Sequence, residues 1–197
     1  MSEFTALRAV SLTLQSMLDA EITQSSDPQI NGVKVFLLSP KAVREKEKSG
    51  ISVWLYRVQR EPDTLNRPPE RISPSQIRYR PLPLTLHYLL CAVLDEPKDE
   101  QAILGKIVQV FHDHAILRGS ALKDSLQGED HALRLVLEAL TLEELARVWD
   151  ALNEPYQLSL SYVVQVVTLD SDRDLGQRPP VLSGVTQHHQ ILGEVEA

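Results

Sequence analysis

The chain has 197 residues, 43% of them apolar and 24% charged, with a formal net charge of -7. That length suits one domain with a small appendage and buries a core without disulfide staples. An acidic chain without a basic stripe and interleaved aromatics argues against nucleic acid as a direct partner, and no apolar run reaches bilayer-spanning length, which argues against a membrane. The single cysteine, Cys91, has no internal partner and fits a reducing compartment. The opening residues MSEFTALRAV hold no basic segment followed by an apolar one, so no secretory signal is expected and the cytoplasm is the expected location.

Phe4, Leu7, Val10, Leu14, Met17, Leu18 and Ile22 recur at spacings of three and four, one face of an amphipathic helix that Ser2 is placed to cap. Ser25-Ser26-Asp27-Pro28 is turn chemistry and ends it. Residues 33–38 predict a short strand stopped by Ser39-Pro40, and the charged residues 41–50 predict a solvated connection. Ile51, Val53 and Leu55 alternate with Ser52, Trp54 and Tyr56, a second strand that ends near Gln59.

Residues 61–80 differ in kind. Pro62, Pro68, Pro69 and Pro74 remove backbone donors and restrict the residues before them, which predicts a long irregular exposed loop. Arg67, Arg71, Arg78 and Arg80 stand in it, either as plain solvated charge or as a contact to an acidic protein surface.

Residues 80–94, RPLPLTLHYLLCAVL, carry the clearest strand signal. Leu82, Leu84, Leu86, Tyr88, Leu90, Ala92 and Leu94 share one face; Pro83, Thr85, His87, Leu89, Cys91 and Val93 share the other, which begins polar and turns apolar. That apolar end is expected to be covered on both faces by helices. Asp95-Glu96-Pro97 then opens a helix whose buried stripe is Ile103, Leu104, Ile107, Val108 and Phe111. Residues 115–130, with Gly119 and Gly128, predict a loop or short helix, and Leu133, Leu135 and Leu137 a strand. Thr141-Leu142-Glu143-Glu144 is a capping box, with Leu140 and Leu145 as its staple; the helix it starts is expected to bury Leu142, Leu145, Trp149 and Leu152.

A second long strand follows, from Tyr156 to about Asp170, with Tyr156, Leu158, Leu160, Tyr162, Val164 and Val166 on one face, and it is the expected sheet neighbour of the first. From Asp172 on, Gly176, Pro179, Pro180, Gly184 and Gly193 sit among polar residues without a helical period. Residues 172–197 read as an extended C-terminal arm on a core of residues 1–171. Val181-Leu182 and Gln190-Ile191-Leu192 are short apolar anchors in it, and an arm of that kind can add a strand to a neighbour's sheet edge. The fold class expected is α+β: a mainly antiparallel or mixed sheet, with its helices packed on one side.

No Gly-rich phosphate loop, G-x-S-x-G elbow or H-E-x-x-H helix is present. His112 and His114 form a metal pair only if His87, Asp113 or His131 supplies a third ligand; otherwise they are imidazoles suited to a helix C-terminus. Asp170, Asp172 and Asp174 space like a calcium loop, but Leu175 and Val181 stand where an EF-hand needs glycine and glutamate. Cys91 shares a strand face with His87, yet a cysteine in an apolar strand is ordinarily a small buried hydrophobe. Glu143 and Glu144 are accounted for by the capping box. No catalytic residue, metal or cofactor is assigned.

Several stretches taken together resemble one family: Trp54-Leu55-Tyr56-Arg57-Val58; Arg80 to Leu90; Ile103-Leu104-Gly105; Leu142 to Trp149; and Pro155 to Val164. Their order and spacing are similar to the cap, or tail-terminator, family of phage-tail-like contractile injection systems, over roughly Phe4 to Asp170. The resemblance implies a sheet flanked by helices and a structural protein without an active site. It further implies a homohexameric ring on the inner tube and outer sheath at the end distal to the baseplate, stopping polymerisation and tying tube to sheath. Many members carry an asparagine after the Tyr-Arg-Val motif and then Leu-Arg-Asn; here Glu61 takes the first position and Thr64-Leu65-Asn66 keeps only the last. The candidate subunit or sheath contacts are Arg67, Arg71, Arg78, Arg80, Val181, Leu182, Ile191 and Leu192. Two other readings are an adaptor that recruits a baseplate component or cargo through the Pro-rich loop, and a small metal-dependent hydrolase built on His87, His112 and His114.

Overall fold

The computed structural model describes residues 4–61, 70–73, 76–78, 81–127, 132–169 and 174–177. The first helix, α1 (Ala6–Leu18), runs into a π-helical turn at Asp19–Thr23 and buries Ala6, Val10, Leu14, Leu18 and Ile22, the stripe the three-and-four spacing predicts. A two-residue strand β1 (Val35–Phe36) follows, then α2 (Pro40–Lys46) and β2 (Gly50–Arg60). The helix α2 corrects the expected connection at 41–50. Ser39 Oγ accepts from the backbone N–H of Ala42 at 3.3 Å, and Pro40 stands at the first helical position. The pair that stops the strand therefore also starts a helix.

The central strand β5 (Leu82–Val93) pairs antiparallel with β2 on one side and with β8 (Leu160–Leu169) on the other. The full order is β1-β2-β5-β8-β7-β6, where β7 is Ala132–Leu137 and β6 is Ile116–Arg118. Only the β1–β2 pair among the described strands of this sheet is parallel. The strand β6 and two 3₁₀ turns, Gly119–Ala121 and Asp124–Leu126, occupy the stretch expected as loop.

The two faces of β5 divide as its alternation predicts. Leu84, Leu86, Tyr88, Leu90 and Ala92 enter the main core with α1 and with α3 (Pro97–Asp113), which contributes Ile103, Leu104, Ile107, Val110 and Phe111. Val110, not Val108, completes that stripe. Leu89, Cys91 and Val93 form a second core with Val43 of α2 and Trp149 of α4 (Leu142–Leu152). Helices therefore cover both faces of the sheet, which corrects the one-sided packing. A strand end that is apolar on both faces demands this, since either face left in water would forfeit its burial.

Three smaller departures have local causes. A bulge shifts the β5–β8 register between Leu84–Val167 and Leu86–Val164, so Val167 takes the core position that strict alternation assigns to Val166. The strand β8 begins at Leu160 rather than Tyr156, leaving Tyr156 45% and Leu158 51% exposed. Leu142, expected to be buried, is 67% exposed because it is the first residue of α4 and precedes the turn that meets the sheet.

The Pro-rich stretch contains two strands, β3 (Glu70–Ser73) and β4 (Gln76–Arg78), antiparallel to each other. A further strand, β9 (Asp174–Gln177), pairs with β4 and places Asp174 opposite Arg78 and Gln177 opposite Gln76. This corrects the irregular loop. Neither β3 nor β4 contains a proline, so each keeps its ladder donors. The expected arm also starts in regular structure, against the expected loop.

Candidate functional site

A cluster of polar side chains lies beside the register shifts of the central strands. A bulge in β2 between Leu55 and Arg57 sets Tyr56 out of the ladder beside β5, and its ring meets His87 edge-on at 6.1 Å. His87 is only 5% exposed, and both ring nitrogens are occupied. Nδ1 lies 3.2 Å from Glu138 Oε2, and Nε2 lies 2.8 Å from the side-chain amide of Gln59.

Glu138 follows β7 directly. Its backbone N–H donates to the Ser161 carbonyl at 2.8 Å, which fixes the side chain over the sheet. Ser161 Oγ donates to Glu138 Oε2 at 2.7 Å, and the Tyr56 hydroxyl lies 3.5 Å from the same oxygen and 3.2 Å from Ser161 Oγ. Burial raises the Tyr56 hydroxyl above its ordinary range, opposed in part by the Ser161 hydrogen bond. Next along β5, Thr85 Oγ1 donates to Glu61 Oε2 at 2.8 Å.

A serine, a histidine and a carboxylate meet here in the wrong order for nucleophilic catalysis. A relay needs the imidazole between hydroxyl and acid. In this cluster the carboxylate stands between Ser161 and His87, so the hydroxyl proton is directed at Glu138. The arrangement holds β2, β5, β7 and β8 together and does not ready a nucleophile.

Cys91 is likewise poorly placed for chemistry. Burial first, and then the Glu100 charge, push its thiol up to about 12, so the thiolate is suppressed. Its Sγ lies 3.8 Å from the Leu158 carbonyl and 3.9 Å from Gln157, and Leu89 separates it from His87 along the face. His112 and His114 stand exposed at the end of α3, and His131 lies outside the described residues. Among the described residues no three His, Cys, Asp or Glu side chains converge as a metal requires. Of the acidic triplet, Asp174 opens β9, while Asp170 and Asp172 lie outside the described residues.

Among the candidate contacts, Arg71 falls in β3 and Arg78 in β4. Arg67, Arg80, Val181, Leu182, Ile191 and Leu192 lie outside the described residues. The Glu138 cluster joins residues far apart in the chain and has no motif in the sequence. Its one visible signal was the polar start of the β5 face, Thr85 and His87, which marks a position where the strand leaves apolar cover.

Two solved structures share this architecture. With the sheath/tube terminator of an extracellular contractile injection system, PVC, in its extended state, the TM-score is 0.64 at 13% identity, covering 95% of this chain and 65% of that one. With the tube-terminating cap of the anti-feeding prophage it is 0.57 at 17% identity, covering 91% of this chain and 60% of that one. The chain thus spans about 65% and 60% of those two proteins' lengths. Its fold is the tail-terminator fold, as the sequence resemblance implies. The chain belongs to the Pvc16 N-terminal domain family, whose profile matches residues 9–183. No curated protein matches it. No helix among the described residues is long and apolar enough to cross a membrane.

Proposed function

We propose that the chain is a structural, non-enzymatic terminator of a contractile injection system, working as a ring of six copies that ends the inner tube and the sheath and links them. The family match over residues 9–183 carries this reading. The order of Ser161, Glu138 and His87 supports the non-enzymatic part, because it directs the serine proton at the acid.

A cyclic ring joins two different patches of each copy at every contact. The proposed patches are the segment around Arg67, Arg71, Arg78 and Arg80 and the arm of residues 172–197 with Val181, Leu182, Ile191 and Leu192, carried by a core of residues 1–171. Short strands at a sheet edge and arms with apolar anchors suit strand addition. The protein would assemble in the cytoplasm and then remain part of the particle.

The test combines native mass spectrometry and electron microscopy of the purified chain with binding to tube and sheath assemblies. Rings of six, and density at tube or sheath ends, are the expected result. A protein that stays monomeric up to high concentration and binds neither end overturns the reading.

A further inference from the structure

Glu138 sets the state of His87. With the carboxylate 3.2 Å from Nδ1, that nitrogen carries the proton, and in the neutral ring Nε2 is then an acceptor. The Gln59 amide must accordingly turn its nitrogen toward Nε2, donating across 2.8 Å. In that orientation its oxygen accepts from Arg57, from Nε at 3.2 Å and from Nη2. A neutral His87 therefore fixes Gln59, and Gln59 fixes Arg57.

Protonation reverses the chain of contacts. An imidazolium donates from both nitrogens, so Nε2 needs an acceptor and the amide oxygen must face it. The amide nitrogen then faces the Arg57 guanidinium, donor against donor. We propose that His87, Gln59 and Arg57 form a proton-operated latch at the bend of the central sheet: a proton taken up at His87 Nε2 turns the Gln59 amide over and releases Arg57.

The charged and titratable groups in contact with the latch are Tyr56 and Arg57 on β2 and Glu138 after β7; Glu61 and Glu144 lie on the flanking elements, just beyond β2 and in the first turn of α4. Tyr56 keeps its proton, as its raised hydroxyl requires. Glu61 is engaged by Thr85. Glu144 is engaged by Thr141 in its capping box. The latch sits beside the β2 bulge, and Arg57 is the residue at which the β2–β5 register resumes.

The test is NMR of the full chain with ¹⁵N-labelled histidine, arginine and glutamine, scanned from about pH 8 to about pH 5, where imidazoles ordinarily change charge. The ring nitrogens of His87 report whether the Nδ1–H neutral form gives way to the imidazolium. In the same step, hydrogen exchange at Arg57 Nε, corrected for its intrinsic pH dependence, should accelerate about tenfold, as loss of a charge-assisted hydrogen bond implies. Gln59→Glu offers only acceptors, so Arg57 should stay protected throughout. Gln59→Met offers no strong acceptor, so Arg57 should exchange fast at every pH. The proposal is overturned if His87 titrates with no response at Arg57, if His87 stays neutral across the scan, or if either variant keeps the coupled step.

Discussion

The indole N–H of Trp149 donates to Ser159 Oγ at 3.2 Å, and both residues are buried. This bond fastens α4 to the segment that leads into β8, within the second core. Trp149→Phe keeps most of the ring but strands the Ser159 hydroxyl, a loss of about 1–3 kcal/mol. Trp149→Ala also opens a cavity beside Leu89 and Cys91 and should lose about 3–5 kcal/mol. Urea unfolding followed by circular dichroism measures both; a Phe variant within about 0.5 kcal/mol of the parent means the bond contributes nothing net.

Gly50 opens β2 at φ +147°, and a Cβ there would lie 2.5 Å from the Phe36 ring and 2.9 Å from the Lys34 carbonyl. The Lys34 oxygen is not free to retreat, because it accepts from Ile51 N–H at 2.8 Å. Gly50→Ala must therefore distort the β1–β2 junction, and a loss of about 1–3 kcal/mol is expected. A melting temperature equal to the parent's would show that the junction yields freely.

How much of this was legible in the sequence depended on whether the signal was local. The two faces of β5 could be read because alternation runs along one strand, and the change at Leu89 marks where the second core begins. The α4 capping box could be read because Thr141 and Glu144 are three residues apart; Thr141 N–H donates to Glu144 at 2.9 Å and Glu144 N–H to Thr141 at 3.3 Å. The helix α2 could not, since it buries few residues and its cap also reads as a strand stop. The β4–β9 pairing joins Gln76 to Gln177 through short strands with little apolar content, which no periodicity reports. His87 and Glu138 are 51 residues apart, and only the sheet order brings them together.

Alkaline pH should destabilise the protein through groups that folding keeps protonated. Cys91 moves from 9.0 to about 12, and burial also raises Tyr88, whose hydroxyl pairs with Ser11 at 2.8 Å. Above pH about 9 the unfolded chain releases the thiol proton while the folded chain retains it, so the folded state binds more protons and stability falls as pH rises. The thiol contribution is complete below that point and is lost progressively toward pH about 12, with a slope of about 1.4 kcal/mol per unit between them. Urea midpoints at about pH 8 and about pH 10.5 should differ, and Cys91→Ala, although less stable at pH 8, should show a shallower decline. Equal declines would remove Cys91 from the explanation.

Deleting residues 172–197 removes β9 but no strand of the six-stranded sheet. The truncated chain should unfold cooperatively with a stability close to the parent's, while the proposed ring or sheath attachment weakens. Collapse of the fold would place the segment in the core and move the domain boundary.

Glu138 is the acceptor that the cluster shares, with Ser161 Oγ at 2.7 Å, His87 Nδ1 at 3.2 Å and the Tyr56 hydroxyl at 3.5 Å. Glu138→Ala leaves His87 Nδ1 without its acceptor and the Ser161 and Tyr56 hydroxyls with only each other, and a loss of about 1–3 kcal/mol is expected. Ser161→Ala alone should cost less, because Glu138 keeps His87 as a partner. The two changes touch one contact, so together they should cost less than the sum of the singles, by about 0.5–3 kcal/mol. A double-mutant cycle by urea unfolding reads that difference, and strict additivity would mean that the 2.7 Å contact carries no coupling. A coupled result would make Glu138 the residue that holds β8 to β2 and β5 beside the β2 bulge, and so the first place to expect altered strand geometry when the cluster is broken.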